Sequence, residues 1–135
     1  MSRILGLDYG EKRIGLAITD PLNIIAKPLQ TINVSKEDIY KVLNQLIKEY
    51  QIVKIVVGLP LTLKNTHSIQ TDKVLVFIEQ LKNNINIDID TYDERFTSDM
   101  AKDALIKQGI KTGHNKSEID KTAAAIFLQN YIDAK

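Results

Sequence analysis

The chain has 135 residues, with Lys+Arg 18 against Asp+Glu 17, two His and no Cys. That length suits one domain spanning residues 1–135 and excludes two catalytic domains closing on a cleft. Without cysteine there are no disulfides, thiolate zinc sites or cysteine nucleophiles, which fits a reducing compartment.

A net charge of +1 supplies no broad basic field for nucleic acid. The sum hides an asymmetry, however. Asp88, Asp90, Asp93, Glu94 and Asp99 stand close together with Arg95 as the only cation among them. Lys107, Lys111 and Lys116 occupy a stretch with no acid. No apolar run approaches the ~18 residues of a membrane span. Asp8 also comes too early for a signal-peptide core, so a cytoplasmic protein without membrane contact is expected.

Ile4–Asp8 and Ile14–Thr19 are apolar runs joined by a short glycine-containing loop, the pattern of a β-hairpin. Ile24–Val34 predicts a third strand, placed at an edge or bulge by Pro28. Ser35-x-x-Asp38 has capping-box spacing, and behind it Ile39, Val42, Leu43, Leu46, Ile47 and Tyr50 recur at helical period. Ile52–Leu59 is nearly continuous and β-branched, as in a strand buried on both faces.

Leu61–Ser68 is a polar loop. Val74, Leu75, Phe77, Ile78 and Leu81 mark a second helix ending at Asn83-Asn84. Ile85, Ile87 and Ile89 open a strand that ends near Tyr92–Glu94. A helix is expected over about 98–108, with Gly109 just past its end, then a loop over 110–116 and a last helix capped by Ser117. The order β-β-β-α-β-α-β-α-α predicts an α/β fold with a mixed five-stranded sheet, antiparallel at first and then parallel, flanked by helices.

Sites in open α/β sheets form outside the carboxyl ends of the strands. Asp8 ends the first strand there, and Asp93 and Glu94 end the last. Asp120, early in the final helix, lies on the flank of that helix's apolar stripe, and Ala123, Ala124 and Ala125 allow close approach to the sheet. Acids converging at one edge repel unless a cation joins them. Oxygen ligands suit one or two Mg²⁺ or Mn²⁺ ions, and neither His67 nor His114 has zinc-motif spacing.

Each acid also has a structural reading. Asp8 would open a turn with Gly10, Asp93-Glu94-Arg95 would be a solvated ion pair, and Asp120 would cap its helix from Ser117-x-x-Asp120 spacing. Alternation alone does not choose between Asp93 and Glu94. Lys107, Lys111 and Lys116 are either a solvated surface or contacts to phosphate.

Taken together, five blocks resemble the YqgF/RuvX-type family, a RuvC-like branch of the RNase H-like superfamily. They are Ile4-Leu5-Gly6-Leu7-Asp8-Tyr9-Gly10, Arg13-Ile14-Gly15-Leu16-Ala17, Val57-Gly58-Leu59-Pro60, Asp93-Glu94-Arg95-Phe96-Thr97-Ser98 and Ile119-Asp120-Lys121-x-Ala123-Ala124. The resemblance covers almost the whole chain. It implies an RNase H-like fold and a metal-dependent nuclease that matures the 5′ end of pre-16S rRNA, with precursor rRNA, ribosomal particles or a helper ribonuclease as partners. It also implies an acidic site at Asp8, Glu94 and Asp120. Arg13 and Arg95 would be phosphate-binding or site-organising cations, and Gly10 would permit close backbone approach.

Two features depart from the family pattern. Leu61–Ser68 lacks a glycine that members commonly carry, where Asn65 could adopt the same backbone. The stretch Lys111-Thr112-Gly113-His114-Asn115-Lys116 is less basic than usual.

A junction-resolving DNase shares this chemistry but requires a stable dimer, whereas a monomer or weak homodimer is expected here. A non-catalytic rRNA-binding module would bind RNA unaffected by Asp8→Asn. An actin-like ATPase, suggested by Asp8-Tyr9-Gly10, needs two domains.

Overall fold

The computed structural model describes residues 3–10, 12–59, 69–93 and 116–134. Its strands are β1 (Arg3–Asp8), β2 (Arg13–Thr19), β3 (Ala26–Asn33), β4 (Ile52–Leu59) and β5 (Asp88–Asp93). Its helices are α1 (Ile39–Tyr50), α2 (Ile69–Asn84) and α3 (Lys116–Asp133). The sheet order is β3-β2-β1-β4-β5. β1 and β2, and β2 and β3, are antiparallel, while β1–β4 and β4–β5 are parallel. This is the expected mixed sheet.

Strand alternation gives the sheet two apolar faces. Leu5 and Leu7 of β1, Leu16 of β2, and Ile55 and Val57 of β4 join Leu43 and Leu46 of α1 and Val74, Phe77 and Leu81 of α2 in one core. Ala17 and Val56 face the other way, onto Ala124, Phe127, Leu128 and Tyr131 of α3. The centre of β4, Ile55 to Val57, is buried on both faces, as its nearly continuous apolar run leads one to expect, while Val53 near its start is exposed. Full burial of each large side chain contributes about 1.5–3 kcal/mol.

α3 lies close to β1 because Gly6 has no side chain. A Cβ there would sit 3.0 Å from the Leu128 Cβ and 3.4 Å from the Ala124 carbonyl oxygen.

Several boundaries differ from the sequence expectations. β3 starts at Ala26 because the Asp20 carboxylate accepts the amides of Ile24 and Ile25 at 2.7 and 2.8 Å, drawing both into a turn. Pro28 sits on this edge strand, next to a register shift between Leu16 and Ala17. Asp38, rather than Ser35, caps α1, accepting the amides of Tyr40 and Lys41. Asn33 Oδ1 accepts from the Ser35 amide and hydroxyl instead, which inserts a turn before the helix.

α2 starts at Ile69, ahead of the apolar run that revealed it. β5 starts at Asp88, since Ile85 still donates its amide to the Leu81 carbonyl at 2.7 Å and closes the end of α2. Ser117 falls inside α3 rather than before it. The expected loop Leu61–Ser68 and the helix over 98–108 lie outside the described residues, as does the loop expected over 110–116 except for Lys116, which belongs to α3 instead.

Candidate active site at the carboxyl edge of the sheet

The parallel strands β1, β4 and β5 set one edge. Leu7 pairs with Val57, and Gly58 and Leu59 pair with Tyr92 and Asp93. Asp8 is therefore level with Tyr92, two strands or about 9–10 Å across the sheet. Asp8 is half-buried. Gly6 faces α3, and by alternation Asp8 faces the same way. Tyr92 packs on that face too, its ring 5.8 Å from the Tyr131 ring and nearly perpendicular to it.

The direction of α3 determines which end of the sheet its first turns approach. Gln129 bonds the β2–β3 turn, accepting from the Ala26 amide at 2.8 Å and donating to the Ile24 carbonyl at 3.0 Å. The carboxyl-terminal half of α3 thus sits at the end of the sheet remote from Asp8. Ala124 lies over Gly6. Asp120 is one turn before Ala124, about 5–6 Å nearer the Asp8 edge, and Asp8 is about 6–7 Å beyond Gly6. The backbones of Asp8, Asp93 and Asp120 thus converge on one end of the fold.

A second anchor fixes α3 to β4 and β5. The Tyr131 hydroxyl donates to Asp90 Oδ2 at 2.7 Å and accepts from Lys54 Nζ at 3.4 Å. Burial, then the bond to Asp90, pushes the Tyr131 hydroxyl above its ordinary pKa.

Gly10 and Arg13 flank the same edge. A Cβ at Gly10 would collide with the Arg13 carbonyl oxygen, so the β1–β2 loop requires glycine. Arg13 opens β2 opposite Asn33. It lines a cavity of about 420 Å³ with Lys12, Asn33, Val34 and Ser35. Lys12 and Asn33 carry no motif and Ser35 only that of a helix cap, and the pairing of β2 with β3 brings them to the edge. Lys116 and Asp120 belong to the backbone of α3, and Asp93 ends β5. Their side chains, and all of Glu94, Arg95 and Lys111, lie outside the described residues.

Among the described residues no three His, Cys, Asp or Glu side chains form a group that could hold a metal. Of the expected acids, only Asp8 has its side chain in that set. The donor chemistry does fit a hard cation: Asp8, Asp93 and Asp120, oxygen-donor residue types on separate elements, have their backbones toward one end of the sheet, in a chain without cysteine. No described helix is long and apolar enough to cross a membrane.

Residues 2–134 match the family model described as RuvX: Holliday junction resolvase. The chain is 47% identical over 135 residues to a protein of Sulfurihydrogenibium sp. named "Putative pre-16S rRNA nuclease", covering 98% of this chain and 91% of the relative. A Desulforamulus reducens protein of the same name is 42% identical, with 98% and 97% covered. Among solved structures, the Fowlpox virus resolvase with Holliday junction DNA aligns with a TM-score of 0.61 at 12% identity, covering 98% of this chain and 97% of that one. T. thermophilus RuvC with a Holliday junction substrate aligns at 0.59 and 15%, covering 99% and 95%. These structural likenesses show a shared RuvC-like fold. The near-complete family match and the sequence relatives together establish that this chain belongs to the RuvX family.

Proposed function

We propose that the protein is a nuclease that hydrolyses phosphodiester bonds in RNA with a divalent cation, and that it acts in 5′-end maturation of pre-16S rRNA. The observation that carries this reading is the convergence of Asp8, the end of β5 and the first turns of α3 on one edge. The names of the sequence relatives supply the substrate.

Asp8, Glu94 and Asp120 would hold one or two Mg²⁺ or Mn²⁺ ions. Asp93, which ends β5, is the alternative or additional carboxylate beside Glu94. When bound, such ions supply an activated water and stabilise the leaving oxygen. The chain's own residues do the rest. Gly10 lets the RNA backbone come close to the loop. Arg13 and Arg95 hold the phosphate, with Lys111 and Lys116 contacting phosphates farther along. Ribosomal particles or a helper ribonuclease would present the RNA, and the protein would act in the cytoplasm as a monomer or weak homodimer.

Junction DNA is the second reading, favoured by the family description and by the DNA-bound structures that share the fold. A side-by-side assay tests the choice, using a pre-16S 5′ fragment and a four-way DNA junction with Mn²⁺. Faster cleavage of the RNA is expected. Cleavage confined to the junction by a stable dimer would overturn the RNA assignment.

A further inference from the structure

On the face opposite α3, a cavity of about 390 Å³ opens beside the same edge. Among the described residues it is lined by Tyr9, Asp72, Lys73, Val76, Phe77 and Gln80. Tyr9 follows Asp8 directly, and its ring lies on Phe77 with centroids 4.6 Å apart and planes inclined by 35°. Phe77 is buried in the core and fixes that wall, while Tyr9 is only half-buried. Val76 is 59% exposed at the rim. The Tyr40 hydroxyl reaches Gln80 Oε1 at 3.4 Å and extends the polar side.

We propose that this cavity receives one nucleobase of the RNA strand whose backbone passes the Asp8 edge; the inference rests on the RNA-cleaving reading above. Position is the first argument. Consecutive Cα atoms are about 3.8 Å apart, and Asp8 and Tyr9 face opposite sides of the sheet. A strand with a phosphate at Asp8 thus has a base within one nucleotide's reach of the Tyr9 ring. Chemistry is the second. Single-stranded RNA is bound by splaying bases onto aromatic side chains and hydrogen-bonding their edges. Here the aromatic wall stands among a Gln amide, a Lys ammonium and an Asp carboxylate, which offer both donors and acceptors. An apolar peptide anchor would be met by charge on that rim. The volume lies within the ~300–1,000 Å³ typical of small-ligand pockets. Tyr9 would act as a positioning residue, holding the strand while the acids across the sheet act on its phosphate.

The test measures fluorescence anisotropy of a labelled single-stranded RNA on Asp8→Asn protein, which leaves the strand uncut. An abasic nucleotide is then moved along the RNA one position at a time. Stacking of one base on an aromatic ring predicts about tenfold weaker binding at one abasic position. Tyr9→Leu in the same background should lose about tenfold on intact RNA and nothing more on that abasic RNA. Val76→Glu, at an exposed site that does not support the core, should also weaken binding about tenfold and keeps the test decisive if Tyr9→Leu does not fold. Additive losses for Tyr9→Leu and the abasic site, or unchanged binding by Val76→Glu, would overturn the pocket. The catalytic reading fails separately: abasic coupling in a wild-type protein that leaves RNA intact with Mn²⁺ would support the pocket and contradict the nuclease.

Discussion

Gly6 sets the distance between α3 and the sheet, since any Cβ there would press on Leu128 and the Ala124 carbonyl. Gly6→Ala should cost about 1–3 kcal/mol, the usual range for overpacking a closed contact. Urea denaturation measures this, and a variant as stable as wild type would mean that α3 can retreat freely. Asp20 acts on a turn instead. The backbone bond from Ile25, opposed by desolvation and reinforced by the bonds from Ile24 and Leu22, holds its carboxyl below the ordinary value of 3.8. A lowered folded pKa means that the contribution is complete above 3.8 and disappears as pH falls through the folded value. Amide protection at Ile24 and Ile25, taken relative to an unprotected amide at the same pH, should therefore fall in acid, and Asp20→Asn should remove that dependence. An unchanged acid profile in the variant would contradict the assignment. At this scale Asp8 was legible because it closes an apolar run ahead of glycine. Tyr9 was not, because its partner Phe77 is 68 residues away and no local pattern links them.

Elements were legible where periodicity was strong, as in α1 and β4, and obscure where side chains redirected the backbone. Asn33 and Asp38 show why: both are good cap and turn residues, and only the bonds made in the fold distinguish their tasks. The polarity of α3 could not be read from sequence, because the Gln129 contacts to the β2–β3 turn span more than 100 residues. The Tyr131–Asp90–Lys54 group that fastens α3 to β4 and β5 was likewise hidden. Tyr131→Phe would leave Asp90 without its 2.7 Å donor and should cost about 1–2 kcal/mol in urea. The raised Tyr131 pKa sets the alkaline sign. Its stabilising share is complete below the ordinary 10.0 and is lost as pH rises through the folded value. The stability difference between wild type and Tyr131→Phe should therefore shrink above pH 10. A constant difference would show that the hydroxyl does not titrate with folding.

Over the whole molecule, a mixed sheet follows from hairpins first and helical crossovers later, so the architecture was readable in element order. The site was readable only in part. Asp8 can be followed from sequence to edge, whereas the roles of Glu94 and Asp120 rest on family resemblance and backbone direction. The net charge of +1 averages an acidic strand end with a basic stretch. Divalent cations at the acids would make that edge more positive, so RNA binding should be weak without metal and tighten with Mn²⁺. Anisotropy with and without a chelator measures this, and equal affinity in both would contradict it.

The place of Asp8 in a metal-dependent site that cuts RNA is checked by cleavage of a pre-16S rRNA fragment with Mn²⁺, comparing wild type with folded Asp8→Asn. Wild type should cleave the fragment, and cleavage should stop on chelation and fall about a hundredfold or more in the variant, as when a group stabilising transition-state charge is removed. Equal cleavage by the two proteins, or cleavage indifferent to chelation, would contradict it.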